Sequence, residues 1–165
     1  GAAFLVLSKV LSPSDAYRSI DWSVLVLIAG MIALGNAMEE TGALELAAGH
    51  LHAVTGEWGD HATLWVFYFM AAVLSLLILN KPAAVLCAPL GIELAARLDC
   101  NPEPFIMAVA FAASTAMATP MGYQTNLLVY GPGGYNYRDF VIFGLPLNII
   151  VGVVACGLIP LIWPL

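Results

Sequence analysis

Charge is scarce in this chain. Of its 165 residues only 10% are charged, five Lys or Arg against eleven Asp or Glu, where an ordinary soluble domain carries about 25%. With 61% hydrophobic residues, so little charge points to an integral membrane protein. The net charge of −6 comes largely from Glu39, Glu40, Glu45, Glu57, Asp60, Asp99 and Glu103, which gather at loops and helix ends as a solvated face. A chain with no basic stripe is a poor partner for nucleic acid. Cysteine is scarce too: Cys87 and Cys156 sit in apolar runs and Cys100 in a loop, so no disulfide framework or metal spacing follows. His50 and His52 are two apart and project from different sides of a helix, which argues against zinc. There is no Gly-x-Ser-x-Gly elbow, and Ser114 and Thr115 have no histidine nearby, so they read as helix-packing hydroxyls. With no nucleophile and base pair, an enzyme ranks last among the readings.

What is present is a succession of apolar runs. Residues 1–11 are apolar but too short to cross about 30 Å of hydrocarbon. They lack the basic start and small-residue cleavage site of a signal peptide. The expectation is a truncated helix belonging to a longer chain. Ser12-Pro13-Ser14-Asp15 reads as an N-cap, a Pro at the first helical position and an acidic first turn, starting a short surface helix through Ala16, Tyr17 and Ile20. Residues 22–38 form the first full apolar run, entered through Trp22, an interface-seeking aromatic. In residues 41–52 the apolar Leu44, Ala47, Ala48 and Leu51 recur at helical spacing, which predicts a helix lying on the membrane surface.

Asp60 is expected to cap the run 61–79, which is rich in aromatics. Asn80-Lys81-Pro82 interrupts it, and residues 83–98 are apolar again. The two arms together are too long for one crossing, so a re-entrant hairpin with its elbow near the bilayer midplane is predicted. Asn101-Pro102 restarts a helix that should run over 105–117, with Ala108, Ala112 and Ala116 on one packing face. Residues 139–163 are the last crossing, softened by Pro146 and Pro160. If the hairpin faces outward, Lys9, Arg18 and Arg138 are cytoplasmic and Arg97 is external, so the positive-inside rule puts the C-terminus outside.

The stretch 118–135 cannot continue a helix. Pro120 removes an amide and disfavours the α conformation at Thr119, while Gly122 adds backbone freedom. Backbone groups left bare at membrane depth are tolerated only where protein buries them or where they line a watery cavity. Thr119, Gln124, Thr125 and Asn126 are neutral donors and acceptors suited to a desolvated ion or oxyanion. Two polar interruptions in succession, at 80–82 and 119–126, match the way many secondary transporters build their sites from discontinuous helices.

The runs Ala118-Thr119-Pro120-Met121-Gly122-Tyr123-Gln124-Thr125-Asn126 and Val129-Tyr130-Gly131-Pro132-Gly133-Gly134-Tyr135 resemble the divalent-anion:sodium symporter family. So do Ala16-Tyr17-Arg18-Ser19-Ile20-Asp21-Trp22 and Glu39-Glu40-Thr41-Gly42. The chain is most similar to the bacterial permeases of that family that carry cytoplasmic regulatory domains. The resemblance implies an all-α, elevator-type transporter of two inverted repeats, each with a re-entrant hairpin and a broken helix, working as a homodimer. This chain would be most of the second repeat, with the first repeat missing. Residues 1–60 would be scaffold helices and a membrane-surface helix, 61–135 the transport part, and 136–165 the last transmembrane helix.

The resemblance implies substrate contacts at Asn80, Thr119, Pro120, Thr125 and Asn126 and sodium ligands at Asn80, Thr119 and Asn126; Lys81, from its charge, and Gly122, from its place in the break, are added to the expected substrate contacts. Family members carry Ser/Thr-Asn-Asn/Thr at the hairpin tip. Here the tip is Leu79-Asn80-Lys81-Pro82, and only Asn80 carries over, a departure that counts against full sodium coupling. A charge at membrane depth costs roughly 2.5 to 3.5 kcal/mol on insertion scales, so Lys81 should pair, snorkel or attract the anion in place of sodium. The expectation is therefore half of a cation-coupled transporter for sulfate or a small dicarboxylate in the cell's inner membrane. The alternative is a degenerate or split membrane subunit that serves assembly and transports nothing alone.

Overall fold

The computed structural model describes residues 12–18, 22–55 and 58–165, and every described element is a helix. They are α1 (Pro13–Arg18), α2 (Trp22–Glu40), α3 (Ala43–Thr55), α4 (Asp60–Leu77), α5 (Asn80–Leu98), α6 (Glu103–Ser114), α7 (Gln124–Tyr130) and α8 (Tyr137–Ile162). The expectations for residues 1–11, and for Ile20, Asp21 and Glu57, fall outside the described residues. Helix α1 starts as its sequence dictates: Ser12 Oγ accepts the Asp15 amide at 3.2 Å, and Pro13 opens the helix where no amide partner is needed. Gly42, at φ +71°, closes α2 with its amide on Glu39 O, a left-handed turn natural to glycine. Helix α3 buries Leu44 and Ala48 of the expected apolar face, with Ala47 and Leu51 half-buried and Glu45 exposed, but His52, expected on the polar side, is half-buried with its Nδ1 shut off from solvent.

Helices α4 and α5 form an antiparallel hairpin whose turn is only Ile78 and Leu79. The elbow is therefore shorter than the sequence suggests. Asn80, Lys81 and Pro82 are the first three residues of α5, because the first turn of a helix has spare amides and tolerates a proline. The expected cap at Asp60 is not made: Gly59, at φ +87°, holds the N-cap position and Asp60 is the first helical residue. Asn101 stands one residue before the N-cap position, which Pro102 holds, and its Oδ1 accepts the Glu103 amide at 3.0 Å in the turn that leads into α6.

The hairpin closes on α6 around Phe67 and Phe105, whose rings lie 5.7 Å apart and are fully buried. Gly91 of α5 admits both; a Cβ there would stand 3.0 Å from Phe67 and 3.2 Å from Phe105. Ala108, Ala112 and Ala116 are buried as the packing reading requires. Among apolar helices in lipid such small-residue seams act through van der Waals contact rather than dehydration.

Helix α8 opens with a reciprocal capping box between Asn136 and Asp139, two residues before the expected start of the last crossing. It runs antiparallel to α6. Asn101 Nδ2 donates to Pro164 O at 3.3 Å, and Met117 N donates to Asn148 Oδ1 at 3.3 Å, contacts that have advanced equally along both chains. The 26-residue α8 is about 39 Å long at 1.5 Å per residue, and Asn148 lies near its middle. The start of α4, the α5–α6 turn and the end of α8 share one end of the bundle. Helices α4 and α8 are long and apolar enough to cross a bilayer.

Candidate functional site

Helix α6 ends at Ser114, earlier than the predicted Met117, because hydroxyls and a tight turn close it. Ser114 Oγ donates to Ala110 O at 2.7 Å, Thr115 Oγ1 donates to Ala112 O at 3.0 Å, and the Met117 amide turns back to Thr115 O at 2.7 Å. Residues 115–123 are non-helical, and helix resumes at Gln124. The break read from Pro120 and Gly122 is therefore present.

Thr119 organises it. Its hydroxyl donates to Leu76 O in the last turn of α4 at 3.1 Å and accepts the Gly122 amide at 3.1 Å. Gly122 fits beneath with no room to spare, since a Cβ would stand 2.8 Å from Ala116 Cβ and 3.0 Å from Thr119 Oγ1. Asn126, from the first turn of α7, reaches back and donates Nδ2 to both Ala116 O and Thr119 O at 3.2 Å. Pro120 is buried against this turn.

The hairpin tip meets the same segment. Ser75 Oγ is shared between Asn80 Oδ1 at 3.0 Å and Ala113 O at 3.1 Å. Consecutive residues of α4, Ser75 and Leu76, thus bind α5, α6 and the break at once. Of the residues singled out in the sequence, Asn80, Thr119, Gly122 and Asn126 are drawn into this network or packed within it. Lys81 and Thr125 are exposed and stand outside it, as does exposed Tyr123. The side chain of Gln124 lies outside the described residues.

Ser75 was not anticipated. Within the run 61–79 it looks like a packing hydroxyl, and its position one helical turn before the elbow was the available clue. Asn148 is also new: it is a lone amide in α8, and only the tertiary contact to Met117 distinguishes it.

Electrostatically the place is two-sided. The C-terminal ends of α4 and α6 bring carbonyl oxygens, and the N-terminal end of α5 brings free amides with Lys81 in its first turn. Helix ends carry partial charges of opposite sign. Neutral oxygens from Ser75, Asn80 and Thr119 with the carbonyls suit a hard monovalent cation. The amides and Lys81 suit an anion. Asn126 spends its amide donor on main-chain carbonyls, which leaves Oδ1 as its remaining ligand atom.

The chain is also similar to known transporters. A family model described as CitMHS, citrate transporter, matches residues 1–164. The uncharacterized transporter sll0640 of Synechocystis sp. is 39% identical over 163 residues, covering 99% of this chain and 27% of that protein. The uncharacterized transporter YfbS of Escherichia coli is 39% identical over 156 residues, 94% of this chain and 26% of that protein. Sodium/sulfate cotransporter 1 of Chlamydomonas reinhardtii is 31% identical over 155 residues, 93% of this chain and 18% of that protein. The chain thus spans about a quarter of the length of the first two relatives. With a match along nearly its whole length, this membrane protein belongs to the citrate transporter family of the ion transporter superfamily.

Proposed function

We propose that this chain is the second repeat of a secondary transporter for small divalent anions, sulfate or a dicarboxylate, and that the complete protein pairs it with a first repeat and assembles as a homodimer. The observation that carries the reading is the junction of Thr119 with Leu76 and of Ser75 with Asn80 and Ala113. It joins two helix ends of one sign and one of the other, the device that secondary transporters use to hold a cation and an anion together.

Its depth supports the same reading. If α8 crosses the bilayer, the Met117–Asn148 contact puts the break near the midplane, and the hairpin tip bonded to it becomes re-entrant. Helix α4 is 18 residues, about 27 Å, so its length alone is equally compatible with a crossing; the tip contacts are what favour re-entry. The printed names of the relatives support an anion. Sodium/sulfate cotransport is named for the algal proteins and citrate for the family.

In this reading Asn80, Thr119 and Asn126, joined by Ser75, hold the coupling cation. The anion is held by the α5 N-terminus with Lys81, and by Thr125 and the Pro120–Gly122 backbone. The exposed ammonium of Lys81 supplies positive charge that relatives with a neutral tip would draw from sodium, so sodium dependence is weak. Uptake of labelled sulfate, succinate and citrate by the complete protein, with and without sodium, tests this. Saturable uptake of at least one anion is expected, and transport of none of them would count against the reading.

A further inference from the structure

Helix α8 meets the unwound segment through two residues one helical turn apart, Gly144 and Asn148. At Gly144 a Cβ would stand 2.3 Å from Met117 O and 2.6 Å from Ala118 Cα. The Met117–Ala118 peptide therefore rests directly on the backbone of α8, and any side chain at Gly144 would push it away. Asn148 is 7% exposed, and its Oδ1 accepts the Met117 amide at 3.3 Å, a hydrogen shared with Thr115 O at 2.7 Å.

The other end of the same amide is unsatisfied, for Asn148 Nδ2 is buried with no partner. Turning the amide over does not cure this, because it would set Nδ2 against the Met117 N–H, donor to donor. A buried donor left unpaired is destabilising, a cost that an apolar residue of the same size would avoid. What the asparagine supplies in return is its hold on Met117. One turn further along α8, Gly152 makes room for the ring of Tyr68, whose hydroxyl is likewise buried and faces Thr115. The first half of the break, Thr115 and Met117, is thus met by buried polar groups from both α4 and α8.

We propose that Asn148, with Gly144 beside it, is a positioning residue of the transport site. It holds Met117 and so fixes where Thr119 stands relative to Leu76 and the hairpin tip. This rests on the anion-transport reading above. A residue acting in this way governs how well the site binds and leaves the rate of carrier movement largely alone.

The test uses the complete transporter carrying Met121→Cys as its single cysteine. With labelled sulfate as the probe, Asn148→Leu should raise KM about fivefold, the equivalent of one lost hydrogen bond, with Vmax per transporter within about twofold, and Gly144→Ala, whose methyl displaces the Met117–Ala118 peptide, should raise KM as well. An unchanged KM in Asn148→Leu, or a loss confined to Vmax, would overturn the proposal. If Asn148→Leu fails to reach the membrane, Asn148→Ser and Gly144→Ala carry the same expectation. If the parent moves succinate or citrate instead of sulfate, that anion is the probe; if it moves none of the three, the transport reading fails separately, and labelling of Met121→Cys by a maleimide decides: a change of about threefold or more in Asn148→Leu supports positioning, and an unchanged rate refutes it.

Discussion

Asn148 Oδ1 lies 3.3 Å from the Met117 amide, so the point where α6 has just unwound sits beside the middle of the longest helix. That relation places the break by a contact that no local sequence signal carries.

Thr119→Val should abolish anion uptake. It removes the hydroxyl that bridges Leu76 O and Gly122 N, and stranding those groups costs about 1 to 3 kcal/mol. Thr119→Ser should retain most uptake. The check is initial-rate transport normalised to membrane abundance, and a valine variant with parental uptake would show that the bridge is dispensable.

Gly122→Ala should destabilise the protein by about 1 to 3 kcal/mol, because its Cβ would meet Ala116 and Thr119 at 2.8 and 3.0 Å. Thermal unfolding in detergent measures this. An unshifted midpoint would mean that the turn relaxes freely.

Much of this architecture is legible in the sequence. Proline and glycine at 120 and 122 mark the break, and the alanines at 108, 112 and 116 mark the seam. Other features are not. The end of α6 at Ser114 depends on hydroxyls bonding back to the helix and on the turn at Met117, a choice that helical periodicity does not encode. Ser75 and Asn148 look like ordinary polar residues in apolar runs, and only their partners on other helices give them a role. In sequence Asn126 looks like an oxygen ligand, yet its amide donor ties the break together.

For that reason Asn126→Ala should lose both uptake and stability, whereas Thr125→Ala, at an exposed position, should lose uptake alone. Uptake and unfolding midpoint measured on both variants separate the two. Equal midpoints would remove the structural role assigned to Asn126.

Lys81→Asn should lose anion affinity or gain sodium dependence, since it exchanges a fixed positive charge in the first turn of α5 for a neutral amide. Sodium titrations of uptake in parent and variant check this. Strict sodium dependence in the parent, unchanged in the variant, would remove the idea.

Cys100 should react slowly with maleimides near neutral pH. Burial first, then the charges of Asp60 and Asp99, raise its pKa above the ordinary thiol value, and the thiolate is the reactive form. The rate should therefore go on rising with pH beyond the point where a free cysteine levels off. Asp60→Asn with Asp99→Asn should restore part of the rate at pH 7.5. A parental rate equal to that of a free thiol would contradict the assignment.

The central claim is that the break and the hairpin tip bind the transported anion. Its most direct measurement is substrate protection of Thr125→Cys, an exposed position in the break, in a complete transporter otherwise free of cysteine. Sulfate or a dicarboxylate should slow its labelling saturably, at the concentration that half-saturates uptake of the same anion. Active uptake with labelling that no transported anion alters would contradict the account.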